Sequence, residues 1–151
     1  MSQAIVSRLA APVVWRGSKG MARKLAEFGA TEAGSALDML RASELCENPK
    51  LRRIFLHHAL DEARHARLFR QAAAERDPRA RYELSSLAES HARLQDLYAR
   101  LGPESFLAFV LRAEQSGEAH FLSLVRELER SEPELSALFQ TVAKDERFHV
   151  A

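Results

Sequence analysis

Residues 48–65 read NPKLRRIFLHHALDEARH, and residues 132–149 read EPELSALFQTVAKDERFH. The two stretches align at an offset of 84 residues, placing Pro49 with Pro133, Leu51 with Leu135, and Asp61-Glu62-x-x-His65 with Asp145-Glu146-x-x-His149. A proline suits the first turn of a helix, where its missing N–H has no intrahelical partner to lose. Apolar residues at helical spacing follow each proline. Each stretch is therefore expected to be the returning arm of a helical hairpin that carries Asp-Glu-x-x-His twelve to sixteen residues beyond its turn.

The outgoing arms are legible on either side. Leu25, Phe28, Ala33, Leu37, Leu40 and Leu45 recur near the helical period and predict a helix from about Lys19 to Glu47, ending at Asn48-Pro49. The helix after Pro49 carries Leu51, Ile54, Phe55, Leu60, Leu68 and Phe69 towards Glu75, ahead of Asp77-Pro78. Phe106, Phe109, Val110, Phe121, Leu124, Val125 and Leu128 mark a helix from about Glu104 to Arg130, and the last helix follows Pro133. Between the hairpins, the segment from about Arg79 to Arg100 reads as a crossover helix closing at Gly102-Pro103. The expected fold is all-α: a four-helix bundle with an additional crossover helix, over residues 19–151. Residues 1–18, with Ile5, Val6, Leu9, Val13, Val14 and Trp15, are expected to form an N-terminal covering segment.

Composition narrows the function classes. The 151 residues, 46% of them hydrophobic, suffice for one core but not for two ordinary domains. With 22 Lys+Arg against 21 Asp+Glu the formal charge is +1, so no global field draws in nucleic acid or an anionic membrane. Cys46 stands alone, which excludes an internal disulfide, a cysteine-based zinc site and a built-in rubredoxin-type module. Any metal must be held by oxygen and nitrogen. The first residues contain no apolar run approaching the roughly 20 residues that span a bilayer. A soluble, cytoplasmic protein is the default expectation.

The Glu-x-x-His pairs carry the chemistry. Residues three apart share a helix face, so Glu62 with His65, and Glu146 with His149, each form a chelating pair. Glu32 lies 17 residues before Pro49 and Glu62 lies 13 after it, while Glu118 lies 15 before Pro133 and Glu146 lies 13 after it. Antiparallel arms bring these to similar depths. Glu114, one turn before Glu118, faces nearly the same way, so Glu114, Glu118 or both supply the carboxylate of that helix. Four carboxylates inside a bundle would repel one another and lose their hydration, and two divalent ions would neutralise them. Oxygen-rich ligation with one imidazole per ion suits two Fe ions, with Mn or mixed Fe/Mn as alternatives. Asp61 and Asp145 are placed to hydrogen-bond histidine ring nitrogens of the opposing hairpin. His57, His58 and His91 are expected in local polar contacts or solvent, and His120 is expected to point away from the site. Phe28, Phe55, Phe69, Phe121 and Phe139 are expected as bundle packing.

In the order Glu32, Glu62-x-x-His65, Glu118 or Glu114, Glu146-x-x-His149, the chain resembles the ferritin-like di-iron carboxylate superfamily, particularly its rubrerythrin, bacterioferritin and four-helix oxygenase branches. The resemblance implies a terminal glutamate from each outgoing helix, bridging roles for Glu62 and Glu146, and one histidine completing each ion's shell. It implies a di-iron oxidoreductase that activates oxygen or peroxide, with an external electron donor and a small organic substrate. Ferroxidase or iron-storage function and a non-enzymatic helical interaction protein are the alternatives. His149 is followed only by Val150 and Ala151, so the last helix is short beside its counterpart. The N-terminal apolar residues, within the chain or across a homodimer, are expected to cover the core left beside it.

Overall fold

The computed structural model describes residues 17–80 and 96–150. Four long helices and one short one run in the order α1 Ser18–Leu45, α2 Pro49–Arg76, α3 Leu97–Leu101, α4 Pro103–Leu128 and α5 Pro133–Val150. No strand occurs among the described residues. The all-α bundle is as expected. Of the expected crossover helix, residues 81–95 lie outside the described residues and α3 is its described end. Residues 1–16 of the expected N-terminal covering segment 1–18, and His91, also lie outside them.

Local chemistry explains the boundaries. Pro49, Pro103 and Pro133 each open a helix. The Asn48 side chain caps α2 by accepting from the Lys50 and Leu51 N–H groups at 3.0 and 3.3 Å. Asp96 caps α3 through the Ala99 N–H at 3.2 Å. Gly102 joins α3 to α4 with a φ of 75°, a conformation that side-chain-bearing residues rarely adopt.

Helix α1 packs along α2, and α4 along α5, giving the two hairpins. Two apolar layers join them. Met21, Leu25, Phe69, Phe121, Leu124, Leu135, Phe139 and Val142 form one, drawn from all four long helices. The Phe28 ring packs 5.5 to 5.6 Å from those of Phe69, Phe121 and Phe139. Met39, Ala42, Phe55, Phe106, Val110 and Tyr98 form the other layer. Here α5 contributes nothing, and Tyr98 of α3 takes part, its ring 5.9 Å from Phe55 and 5.3 Å from Phe106. Each fully buried phenylalanine contributes about 1.5–3 kcal/mol of apolar burial. The five phenylalanines pack the bundle as expected, Phe55 in one layer and Phe28, Phe69, Phe121 and Phe139 in the other.

Between these layers lies a polar one. Glu32, His58, Glu62, His65, Glu114 and Glu146 are all buried. The α1 and α4 backbones stand well apart, and side chains such as Phe28 and Phe121, with ring centroids 5.6 Å apart, bridge them.

Candidate metal centre

The polar layer contains two groups of potential ligand atoms. Within each, the atoms all lie within 4.8 Å of one another: Glu32, Glu62, His65 and Glu146 in one, and His58, Glu62, Glu114 and His149 in the other. Glu62 belongs to both and is only 2% exposed. Isolated carboxylates are almost never buried this deeply, so the constellation is not surface decoration.

The histidine rings are aimed in matching ways. His65 turns Nδ1 towards Glu146 Oε1 at 3.4 Å and Glu32 Oε2 at 3.6 Å, while its Nε2 lies 3.3 Å from Asp145 Oδ2 of the other hairpin. His149 turns Nδ1 towards Glu114 Oε2 at 3.1 Å, Glu62 Oε1 at 3.7 Å and Glu146 Oε2 at 3.8 Å, while its Nε2 lies 3.2 Å from Asp61 Oδ2. With Nε2–H donated to an aspartate, release of the Nδ1 proton leaves each ring a lone pair facing the carboxylates, the form a metal requires. Arg64 ties the aspartates together, donating to Asp61 Oδ1 at 3.1 Å and Asp145 Oδ2 at 2.9 Å.

His65 supplies the test of fit. Its ring is completely buried, yet Nδ1 has no hydrogen-bond partner. An orphaned buried nitrogen is costly, and this one faces two carboxylates at 3.4 and 3.6 Å without hydrogen-bond geometry to either. A cation held by Glu32, Glu62, Glu146 and His65 satisfies it, so the residues fit a metal ion.

Charge in the layer is strongly coupled. Burial opposes a proton on His58, His65 and His149, but the facing carboxylates of Glu114, Glu62, Glu146, Glu32 and Asp61 outweigh it, raising them to about 9, 10 and 11. Burial, reinforced by the Glu32 and Glu146 carboxylates and resisted by His58, pushes Glu62 up to about 8. Burial also works against ionisation of Glu114, but hydrogen bonds from His149 and His58 prevail and lower it. Protons on imidazoles offset the carboxylates here, and a divalent ion does so by replacing them.

The structure brings together Glu32, Glu62, His65, Glu114, Glu146 and His149. It does not bring in Glu118, expected as a candidate ligand. That carboxylate accepts from Arg147 Nε at 2.8 Å, outside both groups. Four residues along α4 advance it about 6 Å and rotate it about 40° from Glu114, enough to leave the layer. Asp61 and Asp145 bond the opposing histidines as expected. His58, expected in local polar contacts or solvent, is instead buried at the centre, its Nε2 lying 3.1 Å from Glu62 Oε1 and 3.1 Å from Glu114 Oε1. A signal for it existed: His58, Glu62 and His65 are spaced i, i+4, i+7 on one helical face.

His120, expected to point away, lines a cavity of about 360 Å³ with Phe28, Glu32, Glu62, Gly117 and Phe121. Glu114 and Glu146 also reach this cavity, which lies between α1 and α4. Among the described residues it leads from the surface to the carboxylate layer.

Four helices placing two Glu-x-x-His pairs and two further glutamates around a shared carboxylate define a ferritin-like di-iron carboxylate protein of the oxidoreductase class. Residues 26–151 match the family model of COQ7, ubiquinone biosynthesis protein COQ7, and the chain belongs to that family. No curated protein and no solved structure matches the chain.

Proposed function

We propose that this chain is a di-iron hydroxylase that uses dioxygen and an external electron donor to place a hydroxyl group on a ring-bearing organic substrate. Glu32, Glu62, His65 and Glu146 hold one ion; Glu62, Glu114 and His149 hold the other. When bound, the iron pair supplies the electrons and open coordination positions needed to activate oxygen. One oxygen atom enters a substrate C–H bond and the other leaves as water, with two electrons from the donor and two protons.

The observation that carries this is a cavity that the metal-facing carboxylates share with aromatic side chains and with the polar Thr31, Ser35, Ser116 and His120. Phe28, Ala113, Gly117 and Phe121 line it beside Glu32, Glu62, Glu114 and Glu146. Its volume is at the lower end of those that enclose small molecules, about 300–1,000 Å³. The aromatic walls suit a flat ring, and the polar floor suits oxygen chemistry at its edge. Membership of a family described by ubiquinone biosynthesis supports a quinone or phenol precursor as the substrate class. Arg64, Asp61 and Asp145 hold the histidine tautomers, while Phe28 and Phe121 supply aromatic contact beside the carboxylates.

The test is anaerobic loading with Fe(II), then reductant, a quinone-type ring compound and ¹⁸O₂. The reading predicts product carrying one labelled oxygen. Iron oxidation without product would favour ferroxidase function, and absence of any redox response would remove the catalytic reading.

A further inference from the structure

We propose that His58 is a seventh protein ligand, bound through Nε2 to the ion that Glu114 and His149 hold, so that two imidazoles hold one ion and one holds the other. This rests on the dinuclear reading above and adds to it a residue outside the paired Glu-x-x-His pattern.

Geometry carries the proposal. His58 Nε2 and His149 Nδ1 approach the two oxygens of one carboxylate, Glu114 Oε1 and Oε2, at 3.1 Å each. The same two nitrogens flank a single oxygen of Glu62, Oε1, at 3.1 and 3.7 Å. Four donor side chains thus surround one small space. The rings of His58 and His149 lie nearly face to face, with centroids 3.8 Å apart and planes inclined at 32°. That packing presents the two nitrogens side by side to the same point. The other ligand group contains no counterpart: its members are three glutamates and His65.

The backbone explains why His58 reaches this position. It precedes Glu62 by one turn of α2 and stands almost in line with His65, two turns away. His57, the next residue back, is exposed on α2. The internal repeat does not copy the feature, since the residue 84 positions after His58 is Val142, a member of an apolar layer. Asymmetry between the two ions is therefore written into α2 alone. A nitrogen-richer position favours iron, cobalt or zinc over manganese more strongly than the carboxylate-rich one does. Under mixed Fe(II) and Mn(II), iron is expected at the His58 position and manganese beside Glu32.

Crystals of the full chain soaked with Mn(II) and recorded for anomalous scattering test this directly. The expected result is two peaks, one of them within about 2.5 Å of both His58 Nε2 and His149 Nδ1. Two peaks with His58 Nε2 beyond about 3 Å from each would overturn the His58 assignment while keeping the dinuclear reading. Fewer than two peaks would overturn both. In solution, His58→Gln keeps a donor for Glu62 and Glu114 but removes the imidazole. Cobalt(II) titration of that variant, its helicity checked by circular dichroism, is expected to show one equivalent weakened at least about tenfold and an altered visible spectrum. His57→Gln should match the parent chain. A His58→Gln variant that binds both equivalents with the parent spectrum would contradict the proposal.

Discussion

The His65 ring on α2 is held by Asp145 on α5, Nε2 to Oδ2 at 3.3 Å, and His149 on α5 is held by Asp61 on α2, Nε2 to Oδ2 at 3.2 Å. Each hairpin thus orients the other's imidazole, and Arg64 bonds both aspartates. Carboxylate partners of this kind fix a histidine's tautomer, and their loss typically costs about 10–100-fold in metal affinity. Asp145→Ala and Asp61→Ala are each expected to weaken one of two Mn(II) equivalents by that factor, and Arg64→Leu to weaken both. Titration followed by electron paramagnetic resonance checks this. Unchanged binding in Arg64→Leu would show that the aspartates need no clamp.

Glutamate substitutions should separate by position. Glu62 is common to both ligand groups, so Glu62→Ala is expected to remove most binding of both ions. Glu32→Ala should weaken one. Glu118→Ala loses only an ion pair with the largely exposed Arg147, worth about 0–1 kcal/mol, and should bind metal as the parent chain does. Metal counting after gel filtration distinguishes the three. A Glu118→Ala variant with one ion missing would contradict the placement of Glu114 over Glu118.

Protonation gives a further expectation. His58, His65 and His149 have folded values of about 9, 10 and 11, above the ordinary 6.5, so their stabilisation is complete below pH 6.5 and is lost as pH rises through those values. Glu62, raised from 4.5 to about 8, acts in the same direction, because the folded state holds its proton after the unfolded chain has released it. Chelator-treated protein should therefore melt progressively lower from about pH 6 to 10. Metal loading at pH 7 should release protons, since ligating histidines must be neutral. Calorimetric loading in buffers of different ionisation heat measures this. A melting temperature that rises with pH, or loading heats independent of buffer, would contradict the coupling.

The cavity can be narrowed without touching a ligand. A Cβ added at Gly117 would meet nothing nearer than Phe121 Cε2 at 4.0 Å, so Gly117→Ala should fold normally and gain up to about 1 kcal/mol from helix propensity. Gly117→Leu projects a larger side chain from the cavity wall. It is expected to retain two ions but to lower kcat/KM for a ring substrate at least about tenfold. Full activity with the leucine in place would move the substrate elsewhere.

Much of this organisation is legible in the sequence. The aligned prolines Pro49 and Pro133 located both hairpin turns, because proline at the first helical position leaves the same mark wherever it occurs. The repeated Asp-Glu-x-x-His located both the ligand pairs and their cross-bundle supports. Glu114 and Glu118 could not be separated, since one turn changes a residue's direction by only about 40° and the tilt of α4 against α5 decides which faces inward. His58 has no counterpart in the second half of the repeat, so the pattern that the halves share does not point to it. The cavity between α1 and α4, which His120 lines, is a tertiary property with no local signature.

The central claim is that Glu62 joins two metal positions in one buried layer. Anaerobic titration with Fe(II) of the parent chain and of Glu62→Ala, with bound iron counted, measures it most directly. The account predicts two equivalents per chain in the parent and loss of most binding in the variant, with circular dichroism showing both folded. A folded parent that binds fewer than two equivalents, or a variant that keeps both, would contradict it.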